Sequence, residues 1–145
     1  MAYTINCRVI NDTADTLTVV EKSCWSGAGG TQWRKSESGR QLTMNASGSS
    51  GMLRFVTSND EYFAVAVGVN NYKRWCDVTV NLSPSEPLTT LHPTYYHGDK
   101  NKELKAEAAE ASAITSKGNK VTVTFYVSDG HSLWCNIVYL SGCAC

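Results

Sequence analysis

Apolar and polar residues alternate along most of this chain, and the alternation predicts strands. Residues 3–10 put Tyr3, Ile5, Cys7 and Val9 on one face and Thr4, Asn6 and Arg8 on the other. That is the two-residue period of a half-buried strand. Residues 17–20 begin a second strand, and residues 40–44 and 52–56 flank a turn rich in serine and glycine, which reads as a hairpin. Residues 61–69 form an apolar run whose two faces differ in size: Phe63, Val65, Val67 and Val69 on one, Ala64, Ala66 and Gly68 on the other. The small face predicts close approach of a further layer. Residues 74–82, 120–127 and 133–140 complete the set, with Val121, Val123, Phe125 and Val127 inward. Ser128-Asp129-Gly130-His131 reads as the last hairpin turn, because Asp-Gly accepts positive φ. The period changes in residues 102–111, where alanine and glutamate dominate and Leu104, Ala108 and Ala111 share one side. These predict one short helix lying on a sheet. Many short strands and one late helix predict a mainly β protein, a β-sandwich.

Length and charge restrict the function. The 145 residues suit a single domain, 1–145, with one core. Thirteen basic residues balance thirteen acidic ones, and Lys73-Arg74 is a pair rather than a patch, so no nucleic-acid partner is expected. No run is long and apolar enough to span a bilayer. The first residues lack a basic stretch followed by an apolar one, so a cytoplasmic location is expected, with Asn11, Asn45 and Asn81 as chance glycosylation sequons. Cysteines 7, 24, 76, 135, 143 and 145 then read as mostly free thiols. Cys143-Ala144-Cys145 has the wrong spacing for zinc, and neither metal nor cofactor is expected.

Three polar segments could carry chemistry. In residues 45–51, Ser47, Ser49 and Ser50 offer hydroxyls, and Gly48 and Gly51 let a ligand reach the backbone amides. A strand rather than a Lys-led helix follows, which excludes a phosphate loop; the plain alternative is an ordinary hairpin turn. In Asn70-Asn71-Tyr72, each amide donates and accepts at once, matching a sugar hydroxyl, and an aromatic ring can pack on the C–H face of a pyranose. Asparagine is also common in turns for backbone reasons alone. Gly27-Ala28-Gly29-Gly30 says only that a loop lies between Trp25 and Trp33. For catalysis there is little. His92, His97 and His131 sit in turn-like, exposed contexts with no nucleophile at a recognisable spacing, and Glu103, Glu107 and Glu110 read as a solvated helix face. No enzyme is expected.

The segment Gly68-Val69-Asn70-Asn71-Tyr72-Lys73-Arg74-Trp75-Cys76-Asp77 resembles the most recognisable motif of the fungal fruit-body lectin family. Leu42-Thr43-Met44, Ser47-Gly48, Ser50-Gly51, Leu53-Arg54-Phe55, Asn81-Leu82, Tyr95-Tyr96 and Lys117-Gly118 follow the family's order, and the likeness ends near Ser141. The resemblance implies an actinoporin-like β-sandwich assembled as a homotetramer. It implies a metal-free lectin for galactosyl-β1,3-N-acetylgalactosamine, the mucin core disaccharide, on O-glycans of glycoproteins or cell surfaces, with a defence role. A first site would use Ser47, Gly48, Asn71 and a backbone contact at Gly27 or Ala28, with Asn70 where the family has histidine. A second site, for terminal N-acetylglucosamine, would use Asp77, Val78, Thr79 or Val80, and Asn101. There valine, asparagine and Ala111 replace the family's threonine, arginine and tyrosine, so weak or no binding is expected, each lost polar partner costing about 1–3 kcal/mol. The alternative is a membrane-binding, pore-forming protein of the same fold. That function needs an amphipathic N-terminal helix, whereas residues 3–10 alternate as a strand, so no membrane insertion is expected.

Overall fold

The computed structural model describes residues 2–26, 29–37 and 39–142. In chain order the elements are β1 Tyr3–Asp12, β2 Leu17–Trp25, β3 Gln32–Ser36, β4 Gly39–Met44, β5 Ser49–Thr57, β6 Tyr62–Asn70 and β7 Lys73–Thr79. There follow α1 Leu88–Leu91, α2 Thr94–His97, α3 Asn101–Ala106, β8 Glu110–Ile114, β9 Lys120–Val127 and β10 Ser132–Leu140. They form two stacked sheets, one in the order β3-β4-β1-β10-β9-β8 and the other β2-β5-β6-β7. β1 runs parallel to β10, and the other pairs are antiparallel.

With the exception of Val127, the faces expected for β1, β6 and β9 are the observed ones. Tyr3, Ile5 and Cys7 of β1, Phe63, Val65, Val67 and Val69 of β6, and Val121, Val123 and Phe125 of β9 meet between the sheets. Phe55, Phe63 and Tyr139 stack along the middle of this layer, with ring centroids 4.9 and 5.6 Å apart. Each large side chain fully buried there contributes about 2 kcal/mol of transfer free energy. The small face of β6 receives the predicted further layer: Ala64 and Ala66 pack with Trp75, Leu88, Leu91, Tyr95 and Leu104, so the three short helices lie against the four-stranded sheet.

Three expectations change, and three elements are unexpected. The helix predicted over residues 102–111 is Asn101–Ala106. Glu107 ends it in the left-handed conformation (φ 51°), and residues from Glu110 onward join β9 as the edge strand β8. Sheet pairing overrides the helical preference of alanine there. The serine-glycine turn is not a hairpin, because β4 and β5 belong to different sheets and residues 45–48 cross between them. Val127 does not face inward. The register with β10 shifts between Trp134 and Cys135, leaving Tyr126 as the extra residue of β9, and this bulge turns Val127 toward solvent opposite the outward-facing Trp134. Strand β3 and the one-turn helices α1 and α2 carry no period long enough to read; Pro87 and Pro93 mark the starts of both helices.

Candidate functional site

Three loops meet at one end of the sandwich. The β6–β7 turn is a two-residue hairpin closed by the pair Asn70–Lys73, with Asn71 at φ 53° and Tyr72 at φ 63°. Two left-handed residues define a type I′ turn, which matches the strand twist. Asparagine tolerates that conformation, but tyrosine does so at a cost of about 1 kcal/mol. At the tip of this turn Tyr72 is 78% exposed. Ser47 holds the turn in place: its Oγ accepts from the Tyr72 N–H at 2.9 Å. The Gly48 N–H donates to the Val69 carbonyl at 2.8 Å, with Gly48 itself at φ 87°. Asn45 extends the linkage to the glycine-rich β2–β3 loop, its Nδ2 donating to the Gly29 carbonyl at 3.1 Å.

Ser47, Gly48, Asn70 and Asn71 are thus brought to one set of adjoining loop tips. Asn71 is exposed at the tip; Asn70 is half-buried and its Nδ2 donates to Glu107 Oε2 at 3.4 Å. Gly27 and Ala28 lie outside the described residues. On the far side of the β6–β7 turn, a polar cavity of about 400 Å³ is lined by Tyr72, Lys73, Arg74, Glu107 and Asp129 over a floor that includes Tyr3 and Leu133. Arg74 closes its wall by donating from Nη1 to the Glu107 carbonyl at 2.8 Å. Glu107 and Asp129 come from distant segments; the Asp129-Gly130 turn is legible in the sequence, but its place beside Lys73 is not.

Behind the loops lies a polar cluster that the sequence conceals. His92 is not exposed: it caps α1, is 3% accessible, and bridges two serines. Its Nδ1 is 2.7 Å from Ser23 Oγ and its Nε2 2.8 Å from Ser50 Oγ. Ser50 Oγ also lies 2.6 Å from the Tyr96 hydroxyl, and Trp25 stacks on Tyr96 at 4.2 Å. A neutral imidazole has one donor and one acceptor, which is what two hydroxyls require. Burial depresses the His92 pKa to about 4 and pushes Tyr96 up to about 12, so both stay uncharged near neutrality. The serine–histidine contact is not a nucleophile arrangement, because Ser50 is fully buried.

Of the residues of the expected second site, Asp77 and Asn101 both meet Tyr95, while Val78 and Val80 face the other way. Alternation along β7 sends Asp77 and Thr79, opposite Ala66 and Ala64, toward the helices, while Val78 and Val80 pack against the inter-sheet core. Asp77 Oδ2 accepts from the buried Tyr95 hydroxyl at 2.6 Å and pairs with Lys100 Nζ at 3.6 Å. Burial and the Asp77 carboxylate both raise the Tyr95 pKa, so the phenol stays a donor. Asn101 donates from Nδ2 to the Tyr95 carbonyl at 2.9 Å.

A sandwich whose loop tips gather hydroxyl, amide and glycine backbone groups has the make-up of a sugar-binding module, and comparison with known proteins agrees. The sequence profile of the fungal fruit body lectin family matches residues 1–137. Boletus edulis lectin is 36% identical over 142 residues, covering 96% of this chain and 99% of its own. The structure of wild-type Xerocomus chrysenteron lectin superposes with a TM-score of 0.92 at 37% identity, covering 96% of this chain and 99% of that one. A mutated form of the same lectin gives a TM-score of 0.92 at 39% identity, covering 96% and 98%. The chain belongs to the fungal fruit body lectin family. It is a carbohydrate-binding lectin rather than an enzyme. Among the described residues, no helix is long and apolar enough to cross a membrane.

Proposed function

We propose that this lectin binds galactosyl-β1,3-N-acetylgalactosamine on O-glycans at the loop tips formed by Ser47, Gly48, Asn70 and Asn71, together with the Gly27-Ala28 backbone. The observation that supports this most is the linkage of the three loops through Asn45, Ser47 and Gly48, which holds the groups in place before any ligand arrives. Preorganisation matters for a sugar, because every hydroxyl leaves good solvation behind and only well-placed partners give a surplus. A site built from such partners also discriminates epimers, since a misplaced hydroxyl leaves buried groups unpaired.

Asn70 stands where the family has histidine. It keeps a donor and an acceptor, so it alters sugar preference rather than abolishing binding. The second site, for N-acetylglucosamine, is inactive in this reading: Asp77 and Asn101 are engaged with Tyr95, and Val78 and Val80 offer no hydrogen bonds. Affinity for cells comes from several sites on one particle, which raises effective concentration, and a homotetramer supplies them. Agglutination of glycan-bearing cells then serves defence against animals that feed on the producing organism.

A glycan array tests the assignment. Wild type should select the mucin core disaccharide over terminal N-acetylglucosamine. Ser47→Ala and Asn71→Ala should each weaken the signal about five-fold or more, one hydrogen bond being worth about 1 kcal/mol. Selection of another glycan, or unchanged binding by both variants, would refute it. Sedimentation should give a species four times the chain mass.

A further inference from the structure

The balanced total charge hides an uneven distribution. Four of the thirteen basic residues, Lys22, Arg34, Lys35 and Arg40, line one groove of about 200 Å³ between β2 and β3, the adjacent edges of the two sheets. A bulge in β2 builds it. The ladder with β5 shifts between Val19 and Glu21, leaving Val20 as an extra residue. After the bulge, Glu21 falls opposite Arg54, and Lys22 falls opposite Leu53 of the inter-sheet core. Lys22 is therefore on the inner face at the mouth of the sandwich. Across the mouth, Lys35 sits in register with Arg40, which is itself in register with the core residue Cys7.

Like charges directly opposite each other on a sheet are destabilising, and the one hydrogen bond at this pair runs from Arg40 Nη1 to the neutral Gly39 carbonyl at 3.1 Å. Among the described residues the ion pairs are Arg54–Glu21 and Lys100–Asp77, so none of the four cations has a carboxylate partner. Glu21 is the one acidic residue of the lining, and its carboxylate already accepts from Arg54 and from the Leu88 N–H. Glu37 lines a different depression, with Arg8 and Trp134. Lysines on edge strands also guard against aggregation, and Lys22 and Lys35 are so placed, but that purpose does not call for Arg40, on the interior strand β4, in register with Lys35. Uncompensated charge retained at a cost in a concave site marks an anion-binding function.

We infer that this groove binds sulfate esters of a sulfated polysaccharide, as a site separate from the loop-tip sugar site. A sulfated sugar chain suits this groove better than a nucleic acid does, because its lining offers cations without stacking surfaces. The groove has no exposed aromatic face for base stacking, since Trp33 is buried with its Nε1 donating to the Ser23 carbonyl at 3.0 Å. It also points along a glycan's path. Lys22 lies about 10 Å down β2 from Trp25, the residue paired with Ser50 beside the loop tips. A sulfated chain held here adds contacts to a glycoprotein already engaged at the tips.

The test uses heparin as the probe, with unsulfated hyaluronan and a single-stranded oligonucleotide as comparison arms, at low and physiological salt. Wild type should bind heparin, release it as salt rises, and bind hyaluronan and the oligonucleotide at least about ten-fold more weakly. The double variant Lys22→Gln, Lys35→Gln should lose about ten-fold or more of the low-salt affinity and show a shallower salt dependence, as expected when two cations stop displacing counterions from a polyanion. Lys102→Gln with Lys105→Gln, on α3 beyond the opposite edge of the four-stranded sheet, should leave heparin binding unchanged. Both pairs alter exposed side chains, and a circular dichroism melt confirms folding. The inference is overturned if wild type does not bind heparin at low salt, if the Lys22/Lys35 variant binds like wild type, or if the Lys102/Lys105 variant loses as much. It is also overturned if either comparison polymer binds as tightly as heparin.

Discussion

Acid should loosen this lectin through His92. In the folded chain its imidazole is held neutral between Ser23 and Ser50, with burial drawing the pKa from 6.5 to about 4. The unfolded chain takes up a proton near pH 6.5, and the folded chain does so only near pH 4. Between those values the unfolded state binds more protons, so stability falls as pH falls. The full gap corresponds to about 3 kcal/mol, of which about 2.5 kcal/mol is lost by about pH 4.5. Few nearby groups can soften this. Ser23 and Ser50 bond the His92 ring, Trp25 and Tyr96 pack beside it, and His97 lies against Trp25; none supplies a negative charge. Glu61 has a depressed pKa at the opposite end of β6, held down by hydrogen bonds from Thr115, Tyr139 and Asn119 against its burial, and it adds its own acid sensitivity. The comparison is therefore between wild type and His92→Gln, whose amide retains a donor and an acceptor but does not titrate in this range. Urea unfolding at about pH 7.5 and about pH 4.5 should show the wild type losing about 2–3 kcal/mol more than the variant. An equal loss in both proteins would refute the argument that His92 is buried in the neutral form.

Three further substitutions probe the framework of the site. Gly68→Ala would place a Cβ 2.5 Å from Ser50 Cβ and 2.7 Å from both the Ser49 carbonyl oxygen and Trp75 Nε1, so it should cost about 1–3 kcal/mol; an unchanged melting temperature would contradict that packing. Tyr72→Gly should stabilise by up to about 1 kcal/mol in chemical denaturation by relieving the left-handed strain of the type I′ turn, and a loss of stability would show that the tyrosine ring contributes more than the strain costs. Asp77→Ala removes the partner of Tyr95 and Lys100 and should cost about 2 kcal/mol while leaving mucin-disaccharide affinity as it was. Terminal N-acetylglucosamine binding that disappears with Asp77→Ala would instead restore the second site.

The strands with strict alternation are legible in the sequence because one face of each is buried and the other is not. Residues 3–10 and 61–69 read correctly down to the face of each side chain, and the alanine face of β6 announces the helical layer. What escapes is what depends on partners. β8 has the composition of a helix and becomes a strand because β9 offers an edge. α1 and α2 are single turns of four residues, too short for a period to show. His92 looks like a turn histidine until Ser23 and Ser50, 69 and 42 residues away, close on it. The basic groove is invisible for a similar reason. Lys22 reads as outward until the bulge at Val20 reverses the alternation, and Lys35 and Arg40 become neighbours only through the register of β3 with β4. For the candidate site, the family motif locates the residues, and the hydrogen bonds of Asn45, Ser47 and Gly48 explain why they meet.

The central claim is that these loop tips hold a galactose-type disaccharide. A crystal of this lectin soaked in galactosyl-β1,3-N-acetylgalactosamine tests it most directly. The account predicts sugar density against Ser47, Gly48 and Asn71, with the β6–β7 turn unmoved. Vacant loop tips with the disaccharide seated elsewhere, against β7 and the helices or in the cavity beside Glu107, would contradict it.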